Sequence, residues 1–285
     1  NQIGELNFNQ GYIVKMNYES IGHNLLVSGE LVPSDTEMVF NEGWNIISYL
    51  NREPAPVEDM MASIEEDFMI IKDEDGLIYW PLFGVNNMST MYPGRGYQIK
   101  MNIESTFSYP ISSNSRFITE KTPTLTHFPQ ALNTGENMTV GIPFYSWSEL
   151  PSIGDEIAVF SQDGHLIGSQ VFDGQTIAIS IWGDDISTLE KDGLIFGEPF
   201  YFKLWDSNLN QEKELIVNNW KQGINLYNTN SINIIGNISP AFNHSFNKKL
   251  FQVFDVTGKV IKNIKENQIG FSLYNDGTVV KQFGN

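Results

Sequence analysis

Apolar residues in this chain fall in short runs, and polar turn residues close almost every run. Clear examples are Gly11–Met16, Trp44–Tyr49, Phe68–Lys72 and Leu77–Trp80, followed later by Glu156–Phe160, Thr176–Trp182 and Phe200–Trp205. Runs of this length, rich in β-branched and aromatic residues, predict strands. Asp-Gly steps punctuate them at Asp75-Gly76, Asp163-Gly164, Asp173-Gly174, Asp192-Gly193 and Asp276-Gly277. Tight hairpin turns need positive φ, so Asp-Gly between two strand-like runs predicts a hairpin. Many short, regularly spaced strands predict a sandwich or barrel.

One segment has a different period. After Pro54 and Pro56, the apolar residues Val57, Met60, Met61 and Ile64 sit at i, i+3, i+4 and i+7. That spacing predicts one or two turns of helix with a single buried face. Pro56 suits the first helical turn, and Glu58 and Asp59 lie where the helix dipole favours acid.

The runs group into blocks. Phe8–Met16 resembles Tyr92–Met101, since both place a Gly-Tyr-x-x-Lys-Met strand after a turn. Residues 1–110 therefore read as a first β module, in which residues 1–28 are either the tail of a preceding repeat or the strand that begins the domain its counterpart ends. Residues 111–134, rich in Ser, Thr, Pro and Asn, read as a linker. A second β module spans 135–236. Residues 237–285 form a small C-terminal unit with expected hairpins at Thr257-Gly258 and Asp276-Gly277. The fold class expected is all-β: two sandwich-like modules with one short helix, plus a β-hairpin unit.

Composition narrows the function. The 285 residues are 41% hydrophobic and 13% aromatic, enough for packed cores. The net charge of -17 disfavours binding to nucleic acid, because such a surface repels phosphate backbones. The absence of cysteine excludes disulfide frameworks, thiol nucleophiles and Cys-based zinc sites. No apolar run approaches the roughly 18 residues of a membrane-spanning helix, so no membrane insertion is expected. The chain begins Asn1-Gln2-Ile3 and reads as mature, trimmed or fragmentary.

Signatures of catalysis are missing. His23, His127, His165 and His244 never pair at metal-ligand spacing. There is no Gly-x-Ser-x-Gly elbow, and the glycines around Gly94 and Gly96 lead into a strand rather than a phosphate-binding helix. The acidic groups Asp184-Asp185, Glu65-Glu66-Asp67 and Asp155-Glu156 could serve a glycosidase only by converging in a cleft. Neighbours such as Asp155 and Glu156 point to opposite faces of a strand. No catalytic residue is assigned and no cofactor is expected apart from calcium. The calcium candidates are Asp73 and Asp75 in one turn, and Asp206 and Asn208 in another, because calcium collects oxygens from such turns. Ordinary Asx turns explain the same residues. Among the six tryptophans, Trp147 and Trp182 lie near turns and are the candidates for stacking on a sugar, with Asp184 and Asp185 for its hydroxyls.

Three stretches also carry a resemblance. Gly43–Tyr49, Ile70–Tyr79 and Gly96–Met101 together look like a module of large secreted proteins of marine Bacteroidetes, a module seen also in some marine phage structural proteins. Gly154–Phe160, Gly164–Ser169, Ile181–Asp185 and Gly197–Phe200 resemble a second module of the same proteins. Phe254-Asp-Val-Thr-Gly-Lys-Val and Leu273-Tyr-Asn-Asp-Gly-Thr-Val-Val-Lys are similar to the sorting domains of type IX secretion substrates. The chain departs from that pattern at Ile238-Ser239-Pro240, where an Asn-Pro turn is usual, and at Gly284-Asn285 beyond the usual terminal Lys. The resemblance implies a non-catalytic structural or adhesive protein, secreted or at the cell surface. Its implied partners are another protein, a surface polysaccharide or further copies of itself. Alternatives are a virion surface or fibre protein of a marine phage, and a carbohydrate-binding module.

Overall fold

The computed structural model describes residues 6–7, 10–12, 14, 28–111, 124–241, 250–274 and 279–284. The fold is all-β, with one short α-helix. The chain packs as two compact units, Asn1–Pro240 and Ala241–Asn285.

The first unit opens with β1 (Met38–Phe40), β2 (Gly43–Ser48) and β3 (Ala55–Pro56). Then come α1 (Val57–Met61), β4 (Phe68–Lys72), β5 (Ile78–Trp80), β6 (Val85–Asn86), β7 (Thr90–Met91), β8 (Gly96–Met101) and β9 (Ser105–Phe107). Five strands form a sheet in the order β2-β8-β4-β5-β6, and β1-β9 and β3-β7 make short pairs beside it. The helix follows its sequence pattern closely. Val57, Met60 and Met61 are buried, and Ile64 is buried in the 3-10 turn that continues it. They share a core with Ile47, Ile71, Tyr97, Ile99 and Phe107 from the sheet and its neighbours.

Seven further strands make a second sheet: β10 (Asn137–Ile142), β11 (Glu156–Ser161), β12 (Leu166–Val171), β13 (Ile177–Trp182), β14 (Phe200–Asp206), β15 (Gln211–Gln222) and β16 (Ile232–Pro240). Their order is β12-β11-β14-β15-β16-β10-β13, antiparallel except for β10 beside β16. The sheet curls until its two edge strands meet. A Cβ on Gly168 of β12 would lie 2.8 Å from the Ser180 carbonyl oxygen of β13, so this approach needs glycine. Met138, Val140, Ile157, Ile179 and Phe202 fill the enclosed space.

The two sheets are packed on each other inside the first unit. Strand β10 is buried at all six positions, because its outward face is covered too. Ile70, Ile78 and Trp80 of the first sheet join Ala178, Ile232 and Ile234 of the second in one apolar layer. Trp80 lies so close to Gly141 that a Cβ there would come within 2.9 Å of its ring. Gly76, at φ +76 in the β4–β5 turn, sits equally close to Ser180 and Trp182.

The linker reading of 111–134 falls partly outside the described residues. Its described end is strapped onto β11. The Glu156 carboxylate accepts backbone N–H groups of Thr126, His127 and Phe128 and the Thr126 hydroxyl, with Phe128 N at 2.8 Å. His127 stacks on Trp205 at 3.6 Å and lies 2.9 Å from Glu212. The Gly-Tyr repeat copy at Phe8–Met16 lies largely outside the described residues, although Gly11 N–H donates to Ile46 O of β2.

The second unit holds β17 (Leu250–Asp255), β18 (Val260–Ile261), β19 (Ile269–Tyr274) and β20 (Val279–Phe283), ordered β18-β17-β19-β20. The hairpin at Thr257-Gly258 forms as the sequence predicts. Gly258 takes φ +81, and Asp255 Oδ1 accepts the N–H groups of Thr257 and Lys259. The turn at Asp276-Gly277 lies outside the described residues. Cross-strand register places Phe254, Val260 and Phe271 on one face, with Ile269, Leu273, Val279, Lys281 and Phe283. Val260, Val279 and Phe283 on that face are exposed.

Candidate functional site

The structure places most of the sequence candidates in structural work. Trp147 is 8% exposed and packs edge-on against Phe172 at 6.2 Å. Trp182 is 3% exposed, because the Asp75-Gly76 turn of the first sheet lies on it. A stacking platform must offer a ring face to solvent, and neither ring does. The sugar platform expected at Trp147 and Trp182 is therefore withdrawn. Position near a turn exposes a side chain only when no other layer covers that turn.

Asp184 and Asp185 shape the loop that follows β13. Asp184 Oδ1 accepts the Asp192 N–H at 2.8 Å, and Asp192 Oδ1 accepts the Asp185 N–H at 2.9 Å. Asp185 Oδ1 in turn caps Ser187 through its N–H and hydroxyl. These reciprocal bonds close a tight loop. Asp192-Gly193 consequently makes no hairpin between strands. A Cβ on Gly193 would come within 2.1 Å of the Gly183 carbonyl oxygen, so glycine serves close approach there rather than positive φ.

The calcium candidates hold their own turns. Asp73 Oδ1 accepts the N–H groups of Asp75 and Leu77 at 3.0 and 2.8 Å. Arg95 faces the same turn, 3.2 Å from Asp75 Oδ2 and 3.4 Å from Glu74 Oε1. Burial raises the Asp73 pKa to about 6; the Leu77 N–H opposes the shift, and Asp75 and Glu74 add to it. Asp206 Oδ1 accepts the N–H groups of Asn208 and Leu209, and its other oxygen lies 2.7 Å from Lys213 Nζ. The Lys213 contact and those N–H groups hold Asp206 below the usual carboxylate range. Asp155 is also buried, accepting Ser152 N–H and the N–H and hydroxyl of Ser207. His165 is exposed in the β11–β12 turn, while His23 and His244 lie outside the described residues. Among the described residues, no three His, Asp or Glu side chains gather as a metal set.

The sequence offered no sign of two other features. The first is Lys72, which alternation along β4 puts on the Ile70 face, the face packed against the second sheet, and which is 1% exposed. Its ammonium donates to Asn137 Oδ1 at 2.8 Å and Asn230 Oδ1 at 3.3 Å. The same nitrogen lies 4.8 Å from the Trp44 ring centroid, within cation–π range. Burial, with the Lys100 charge nearby, lowers its pKa to about 8. The lysine is a clamp between sheets: its donors are directed at fixed acceptors.

The second feature is a cleft of about 460 Å³ in the first unit, between the α1 and β6–β7 region and the turn that joins β12 to β13. Its walls carry side-chain amides, hydroxyls and carboxylates on a floor that includes Val85, Val171 and Ala178. The volume falls within the range of small-molecule sites. The residues that build it lie far apart in the chain, and none belongs to a recognisable motif. Only the stacking of the two sheets brings them together.

Comparison with protein-family models, curated proteins and solved structures finds no significant match to this chain.

Proposed function

We propose that this chain is a non-catalytic structural or adhesive protein, secreted or held at the cell surface, with residues 241–285 acting as its export and anchoring unit. The observation that carries this reading is the separate compact β unit at Ala241–Asn285. That unit combines sorting-like hairpin residues with a sheet face on which Val260, Val279 and Phe283 are exposed beside Lys281. An exposed patch of this kind marks a contact surface.

The first unit supports the reading in a second way. The carboxylates Asp73, Asp155, Glu156, Asp184, Asp185 and Asp206 are engaged by backbone or side-chain donors of the chain itself. Groups tied down this way build a rigid body rather than an acid–base pair. Protease shaving of intact cells tests the proposal. Full-length chain is produced in a type IX-competent Bacteroidetes strain and in the same strain without that system. Surface cleavage only in the competent strain is expected; equal protection in both would contradict the proposal.

A further inference from the structure

The cleft between the β6–β7 loop and the β12–β13 turn is lined largely by polar side chains. We propose that it binds a neutral oligosaccharide. The inference deepens the adhesive reading and rests on it for its biological setting.

Four side-chain amides line the cleft: Asn86, Asn87, Gln170 and Gln175. Asn86 and Asn87 are held by bonds within the chain, Asn86 Oδ1 accepting the Ser89 N–H and Asn87 Oδ1 the Ile78 N–H, while Gln170 and Gln175 each bring a donor and an acceptor of the kind sugar hydroxyls require. Three carboxylates, Glu58, Asp59 and Asp173, add strong acceptors for hydroxyl donors, with Glu58 Oε1 also accepting from the Asn86 amide at 3.0 Å. Among the described residues that line it, there is no Lys, Arg or His. An anionic glycan would therefore meet carboxylates without a counter-charge, on a chain of net charge -17. An apolar ligand would desolvate the Gln170 and Gln175 amides and the carboxylates without offering them partners. A neutral polyhydroxylated ligand satisfies both conditions. An aromatic side chain also stands at hand: Phe144 is 46% exposed, and its backbone N–H donates to Thr176 Oγ1 on the cleft wall at 3.2 Å. Sugar rings present apolar C–H faces to such rings.

The wall is held in place before any ligand arrives. Ser89 adopts φ 55, in the left-handed region that a non-glycine residue rarely enters. It is fixed there by Asn86 Oδ1, which accepts its N–H at 2.8 Å, and by Val57, whose N–H donates to its carbonyl at 3.0 Å. Backbone strain maintained by surrounding bonds is characteristic of ligand-holding segments. On the other wall, Asp173 Oδ1 accepts the Gln175 N–H at 3.0 Å and Gly174 takes φ +92, which sets the turn between β12 and β13. Fixed donors and acceptors lower the ordering cost of binding.

Purified full-length protein is titrated calorimetrically with neutral glucan, xylan and mannan oligosaccharides, with spermidine as a cationic probe. The expected result is binding of at least one oligosaccharide, weakened about tenfold or more by Gln175→Ala and by Asp173→Asn. Both positions are exposed, so melting temperatures should not change; Gln175→Ala stands alone should the Asp173 variant fail to fold. Absence of binding by every oligosaccharide would overturn the proposal. So would binding that both variants leave unchanged, or binding of spermidine alone. The assay needs no cell surface, so failure here leaves the export reading standing, and failure of export leaves this result standing.

Discussion

The ammonium of Lys72 lies 2.8 Å from Asn137 Oδ1 and thereby joins β4 of the first sheet to β10 of the second. Asn137 also accepts the Asn230 N–H through its carbonyl, and the Trp44 indole N–H donates to the Asn230 carbonyl. One polar cluster thus crosses an otherwise apolar interface. Removing a single member strands the others without water to replace it. Lys72→Ala should destabilise the protein by about 3 kcal/mol, from a cavity and lost hydrogen bonds together. Asn137→Ala should cost about 2 kcal/mol. Denaturant unfolding of the two variants checks both values.

The same lysine should make stability depend on pH. Its pKa is about 8 in the folded chain against an ordinary 10.5, so the unfolded chain binds more protons between those values. Stability from this group should therefore rise as pH climbs from about 8 toward 10.5. Tyr97, pushed up to about 12 by burial, acts in the opposite sense once pH passes 10. The comparison belongs between pH 8 and 10, where Lys72→Met should lose the rise that the parent chain shows.

Asp73 predicts a change on the acid side. Its pKa is raised from 3.8 to about 6, so the folded chain binds the extra proton in that window. Its contribution falls as pH rises from about 4 to 6 and is flat above. Asp73→Asn keeps an oxygen to cap Asp75 and Leu77 and removes the titration. The difference in unfolding free energy between variant and parent should shift in the variant's favour across that window, then level off.

Glu156 fastens the segment before β10. Burial opposes its ionisation, but donors from Thr126, Phe128 and His127 outweigh that and hold its pKa below the usual range. Its stabilisation is therefore present above the ordinary Glu pKa and is lost as pH falls through the lower folded value. Glu156→Ala should cost about 3 kcal/mol and should release residues 124–128. Hydrogen exchange at the Thr126, His127 and Phe128 amides should accelerate, while exchange within β10 and β13 should keep its order.

Much of the architecture was legible in local patterns. The i, i+3, i+4, i+7 spacing of Val57, Met60, Met61 and Ile64 specified the helix, and Asp75-Gly76 and Asp163-Gly164 marked real hairpins, whereas Asp173-Gly174 turns the chain between β12 and β13, opposite edges of the sheet that do not pair with each other. Local pattern could not show which strand faces are covered by a distant sheet. Trp182 was misread for that reason, since the Gly76 turn covers it, and the burial of Lys72 against Asn137 and Asn230 went unseen. The cleft was invisible for the same reason, since Glu58, Asn86 and Gln175 meet only through stacking of the two sheets. Asp192-Gly193 shows a further limit, because the same dipeptide serves positive φ in one place and tight packing in another.

The claim that residues 241–285 direct the chain to the surface is tested most directly by transferring them. An unrelated periplasmic reporter is fused to this segment and produced in a type IX-competent Bacteroidetes strain, beside the reporter alone and a fusion carrying Phe254→Asp and Phe271→Asp. The account predicts that the intact fusion reaches the cell surface or medium while the other two stay in the periplasm. Retention of the intact fusion in the periplasm, together with the bare reporter, would contradict it.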